Sequence, residues 1–263
     1  MKAGTKALLG VSLSLLVVGG ALNAAGAAMG GREESLARGE LQIGGEKGIR
    51  LSPGKMSIGD WGRNELSSDN GTVTILSPFT DLEVDVDLAD ISVVEGEDYA
   101  VDLTWESDYF KLSYQLKDGK LKVWNEERDG HPDRDVEGAC VIVTLPAGVE
   151  LGEVDISTDL GSVTWEATAS ARKADLSTDL GSVSCSGLLA RELEGSSDLG
   201  SVGLLLPGPR EDFRWELEAS MGQLSLDGET QSSGMGELLV SGGTGEHMVK
   251  ASSDLGSVDV SFS

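Results

Sequence analysis

Ser157-Thr-Asp-Leu-Gly-Ser-Val163 comes back almost unchanged along this chain. The same seven residues fill Ser177–Val183, and Ser-Ser-Asp-Leu-Gly-Ser-Val fills Ser196–Val202 and Ser252–Val258. Two degraded copies, Met221-Gly222-Gln223-Leu224 and Met235-Gly236-Glu237-Leu238, lie before the last of these. With the glycine as marker, the positions are Gly161, Gly181, Gly200, Gly222, Gly236 and Gly256, at spacings of 20, 19, 22, 14 and 20 residues. A period near 20 with β-type patterning is the mark of stacked coils, in which each repeat covers its neighbour.

The aligned copies suggest a side-chain logic. Before each glycine stands Leu160, Leu180, Leu199, Met221, Met235 or Leu255. Two residues after it stands Val163, Val183, Val202, Leu224, Leu238 or Val258, and two further on Trp165, Cys185, Leu204, Leu226, Val240 or Val260. Alternation with period 2 places the two positions after the glycine on one strand face, and the apolar residue before it is read with them, so all three are expected to look inward. The glycine suits a corner where the backbone needs positive φ or close packing. A coil cannot bury its own apolar edge. Coils stacked about 4.8 Å apart can, and each buried Leu or Val then contributes roughly 1.5–3 kcal/mol. The fold expected is all-β: a right-handed parallel β-solenoid, or β-roll, of ~20-residue coils, preceded by an N-terminal transmembrane helix.

Upstream, Leu82, Val84, Val86 and Leu88 alternate with Glu83, Asp85 and Asp87, a half-buried strand. Lys111–Leu116 and Lys120–Trp124 flank Lys117-Asp118-Gly119, and Asp-Gly is a strong hairpin signal. Ala139–Leu145 is nearly all apolar and is expected to be a strand buried on both faces. The coiled domain is therefore expected to span 71–263.

Residues 1–31 carry an apolar run from Ala7, preceded by Lys2 and Lys6 and followed by Glu33 and Glu34. About 20 apolar residues span a bilayer, and positive flanks stay inside. This predicts a single-pass membrane anchor with the C-terminal domain extracytoplasmic. The rival reading is a cleaved signal peptide ending near Ala25-Gly26-Ala27. Residues 32–70 are expected to form a juxtamembrane linker with one or two weak strands.

Charge narrows the function. Forty-five acidic residues against 20 basic give a net charge of −25, which excludes a nucleic-acid partner, since phosphate contacts need basic patches.

The chain resembles the putative adhesin family of bacterial envelope proteins. The resemblance rests on the anchor ending in Gly30-Gly31 and on Ala89-Asp90-Ile91-Ser92-Val93 followed by Glu95-Gly96. It rests also on the Tyr114–Leu121 hairpin and on Val143–Pro146 leading into the repeats. It implies a right-handed solenoid held outside the membrane, with a role in adhesion or envelope-stress sensing. The chain departs from the family in its acidity and in using Asp at the coil turn.

Candidate chemistry is sparse. Asp159, Asp179, Asp198 and Asp254 share one repeat position and could collect Ca²⁺ weakly, though the reading preferred is that each caps its turn through its own backbone. Ser157, Ser177, Ser196 and Ser252 read as turn residues. Asp133, Asp135 and Glu137 echo an EF-hand opening, but loop position 12 falls on Thr144. The histidines are His131 and His247, and no Gly-x-Ser-x-Gly elbow is present. Cys140 and Cys185 are expected to be unpaired, as small buried hydrophobes. No cofactor and no catalytic residue is expected. The function expected is a non-catalytic, adhesin-like binding scaffold whose partner is a surface ligand or an envelope protein. The alternatives are a stress- or cationic-peptide-sensing regulator acting through a membrane partner and, remotely, an enzyme acting on wall polysaccharide.

Overall fold

The computed structural model describes residues 41–43, 47–52, 55–60, 64–67, 70–106, 110–127 and 138–263. The expected membrane anchor over 1–31 lies outside the described residues. So do His131 and the Asp133–Glu137 loop. No helix among the described residues is long and apolar enough to cross a membrane. The chain divides into two units, Met1–Asn64 and Glu65–Ser263.

In the first unit β1 (Leu41–Ile43), β2 (Lys47–Ser52) and β3 (Lys55–Asp60) form a three-stranded antiparallel sheet. The stretch expected to be a linker with one or two weak strands thus holds three paired ones. β4 (Asn64–Ser67) falls at the boundary between the units.

The second unit is all-β among its described residues, apart from one 3₁₀ turn at Arg210–Asp212. Its sheet is mixed. β5 (Thr74–Ile75), β6 (Asp81–Gly96), β7 (Ala100–Thr104), β8 (Phe110–Lys117), β9 (Lys120–Glu127) and β10 (Ala139–Pro146) make its first part. β8 and β9 form the expected hairpin, with Asp118 at φ 50° and Gly119 at φ 81° in its turn. β6 is the first rung of the parallel stack: its two halves pair in parallel with β9 and β10 on one side.

On its other side come the repeats. β11 (Val149–Leu160) and β12 (Val163–Trp165) form one rung, β13 (Ala169–Leu180) and β14 (Val183–Ser186) the next, and β15 (Leu188–Leu199) and β16 (Val202–Leu206) a third. The register is residue for residue. Ile156 lies beside Val84 and Leu176, and Val183 beside Val163 and Val202. Sequence period and structural register therefore coincide, which is why one apolar position in each copy becomes one continuous buried row.

The last rungs do not follow chain order. β17 (Phe213–Leu226) and β18 (Glu229–Gly243) form an antiparallel hairpin, and β19 (His247–Phe262) returns to pair in parallel with both halves of the third rung. β17 then lies outside β19, in parallel with it, and β18 lies outside β17. The short interval from Gly222 to Gly236 is thus a hairpin, with Gly222 beside Gly234 and Met221 beside Met235. The Met235 copy runs antiparallel to the others. The Asp227-Gly228 turn makes this possible, with both residues at positive φ.

The rows after the glycine are buried as expected in five of the six copies, while Leu238 and Val240 are half-buried. Val163, Val183, Val202, Leu224 and Val258 lie inside, as do Trp165, Cys185, Leu204, Leu226 and Val260. The row before the glycine is not: Leu160, Leu180, Leu199, Leu255 and Met221 are 42–45 % exposed and Met235 is 91 % exposed. The inward placement of that row is overturned. The alternation that buries Val154, Ile156 and Thr158 breaks at the corner, where Asp159 and Leu160 both face out. It resumes one residue out of phase at Val163. The cause is the glycine. Gly181 sits at φ 156°, and a Cβ there would land on the carbonyl oxygen of Gly161 in the rung below. Only glycine permits both that dihedral and that approach. The chain turns there, and the residue before the turn lands on its convex side.

Candidate binding surface

Each repeat corner is held by a hydroxyl. Thr158 Oγ1 donates to the Ala89 carbonyl at 3.0 Å, Thr178 Oγ1 to Gly161 at 2.8 Å, Ser197 Oγ to Gly181 at 2.9 Å and Ser253 Oγ to Gly200 at 2.8 Å. These four side chains are buried. The glycine carbonyl at the corner needs a partner once the chain bends, and the hydroxyl of the next rung supplies it. The signal was in the sequence: the residue three before the glycine is Thr, Thr, Ser and Ser in the four intact copies. In the degraded copy at Gly222 it is Ala219.

The residues singled out from the sequence for this role do something else. Among the described residues, no hydrogen bond is made by the carboxylates of Asp159, Asp179 or Asp198, so the turn-capping expected of them is corrected. Asp254 accepts a bond from Ser220 Oγ at 3.2 Å. Ser157, Ser177, Ser196 and Ser252 are strand residues rather than turn residues, and Ser157 Oγ donates to Asp85 at 3.2 Å.

What the corner presents outward is two parallel rows. Leu88, Leu160, Leu180, Leu199, Leu255, Met221 and Met235 stand side by side in the register. Six intervals of about 4.8 Å make an aliphatic row roughly 29 Å long. Leu88 is half-buried against the core and the others are open. Beside them, Asp87, Asp159, Asp179, Asp198 and Asp254 are exposed on successive rungs. Partial desolvation, then the neighbouring charges of Asp87, Asp179 and Asp85, push the Asp159 carboxyl above its ordinary range. On the far side of the glycines a serine row lies flat on the stack, with the Ser182 amide donating to Ser162 Oγ at 3.4 Å.

No group of three or more His, Cys, Asp or Glu side chains able to hold a metal ion occurs among the described residues. The carboxylates stand in single file, one per rung, which gives a cation no enclosing set of oxygens. Both cysteines are free. Burial pushes the Cys185 thiol up to about 12, and it raises the half-buried Cys140 thiol too, with help from Asp90 and Asp102. His247 packs on Phe213, with Nδ1 2.8 Å from the Ala190 carbonyl oxygen.

No family model and no curated protein matches this chain. Among solved structures, a putative cell adhesion protein from Clostridium sporogenes is 10 % identical, covers 76 % of this chain and 100 % of its own, and superposes with a TM-score of 0.46. A putative adhesin from Bacteroides fragilis is 11 % identical, covers 76 % of this chain and 97 % of its own, with a TM-score of 0.29. Likenesses this distant carry no argument about what this chain does. The exposed corner has to be read from its own residues.

Proposed function

We propose that the chain is a single-pass protein tethered to the membrane through residues 1–31. Residues 71–263 would then form an extracytoplasmic, right-handed β-solenoid that binds a partner and catalyses nothing. Lys2 and Lys6 before the apolar run and Glu33 and Glu34 after it support the orientation. Parallel rungs connected within one sheet favour the right-handed winding.

The observation that carries the binding role is the open Leu/Met row beside the Asp row. Six open aliphatic side chains in line are more apolar surface than scattered exposure explains, and they belong to the most repeated part of the sequence. The partner that fits is apolar along one side and basic along the next. An α-helix laid along the stack advances about 5.4 Å per turn, close to one rung, so one apolar side chain per turn meets one leucine. Lys or Arg beside them meets the carboxylates. The Asp row is the feature that favours the sensing alternative, in which a cationic amphipathic peptide is the signal passed to a membrane partner.

The test is a titration of the full chain with an amphipathic leucine–lysine peptide about five helical turns long, and with the same residues scrambled. Saturable binding of the first alone is expected. It should weaken with salt and vanish in a Leu160→Ser, Leu180→Ser, Leu199→Ser variant. Equal binding of the scrambled peptide would reduce the row to bulk charge attraction and refute the reading.

A further inference from the structure

The sheet ends on strands of very different character. β4 and β5 are four and two residues long, short enough to offer little to a passing strand. β18 is 15 residues long and, among the described residues, pairs on one side alone, with β17. It holds no Pro, Lys or Arg, the residues that usually protect such an edge. Its first half is irregular, with Gly234 and Gly236 at positive φ and a register shift opposite Ala219 and Met221. The second half, Leu238 to Gly243, is in regular antiparallel register with β17.

We propose that a second copy of this chain docks on this half of β18, antiparallel and two-fold symmetric, centred on Leu239. The sequence is self-complementary about that residue. Leu239 would face the partner's Leu239, Leu238 the partner's Val240, and Glu237 the partner's Ser241. Leu238 and Val240 are half-buried and already pack on the core, so the pairing continues the inner rows from one molecule into the next. Leu239, 64 % exposed, gains a cover on the outer face. Charge permits the contact although the chain carries −25. No carboxylate meets its own image. The nearest outer-face carboxylates across the contact, Glu216 (beside Ser241) and the partner copy's Glu237, stand two strand spacings apart, about 9.6 Å, which exceeds the Debye length of about 8 Å at physiological salt. An isologous contact of this kind closes at two copies and does not propagate.

The experiment measures the mass of the full chain by light scattering in a mild detergent, over a wide range of protein concentration. The wild type is expected to reach the dimer mass. Leu239→Lys sets two cations against each other at the two-fold, so it should remain monomeric, with the melting temperature of the wild type at concentrations where both are monomers. Leu239→Cys should form a disulfide-linked dimer on mild oxidation, because directly opposed antiparallel residues have Cα atoms about 4.5–5.5 Å apart, within the disulfide range. Leu205→Cys, exposed on β16, should not. A wild-type monomer at every concentration overturns the proposal. So does a dimer that Leu239→Lys leaves intact, or equal cross-linking through both engineered cysteines.

Discussion

The row before the repeat glycine and the row two residues after it are equally regular in sequence and opposite in fate. Val163, Val183, Val202 and Val258 are shut inside, while Leu160, Leu180, Leu199 and Leu255 stand nearly half open. Two residues lie between them, and the first is the glycine of the corner. Periodicity marks which positions are equivalent from rung to rung. Which way each row points follows from the phase of the alternation through the corner. What distinguishes the rows is therefore what each touches: the valines touch one another across rungs, and the leucines are free to touch something else.

The largest effect that could break this comparison comes from the corner itself. Gly181→Val places side-chain atoms on the Gly161 carbonyl and forces φ 156° on a β-branched residue. A loss of at least about 3 kcal/mol is expected in urea unfolding, enough to unwind neighbouring rungs. If Gly181→Val were tolerated, the corner would not control the phase. Next comes the hydroxyl row. Thr178→Val keeps the shape but leaves the Gly161 carbonyl without its bond, and should cost about 1–3 kcal/mol. Ala219→Ser, which supplies the hydroxyl that the degraded copy lacks, should not destabilise if the same geometry is available there.

Smaller effects sharpen the electrostatic side. Asp175 is half-buried between Asp155 and Glu194, and its carboxyl is pushed up by burial and then by those charges. Asp159 is raised as well. Carboxyls raised in the folded state bind protons more readily there than in the unfolded chain. Their unfavourable contribution is present at neutral pH and is relieved as pH falls through the raised values. Glu83 is shifted the other way by hydrogen bonds from Lys120 and Lys122, so its contribution holds above the usual carboxylate range and is lost below it. The melting temperature is therefore expected to rise as pH falls from 7 towards about 4, the ordinary carboxylate range, and to drop below that. Scanning calorimetry across that range checks the sign. Asp175→Asn should flatten the rise and add a few tenths to ~1 kcal/mol at neutral pH.

Much of this fold was legible before any coordinates. The repeat marked the rungs, the Asp118-Gly119 turn marked the hairpin, and the valine row marked one of the buried rows of the core. The direction of the leucine row was legible and was missed: Leu160 and Val163 are three positions apart, and a period of two sets positions an odd number apart on opposite faces. The final order of strands was hidden. Copies at Gly222 and Gly256 look alike in sequence, and nothing local says that β19 inserts between the third rung and β17. The hydroxyl row could have been read, because Thr158, Thr178, Ser197 and Ser253 never vary in chemistry. The more prominent Asp drew the capping role away from it.

One experiment tests the central claim most directly: paired thermal melts of two triple variants, Leu160→Ser/Leu180→Ser/Leu199→Ser and Val163→Ser/Val183→Ser/Val202→Ser. The account predicts a folded leucine variant with a melting temperature close to wild type, and a valine variant that fails to fold. Loss of folding in the leucine variant as well would contradict it, because the row read as an open surface would then be part of the core.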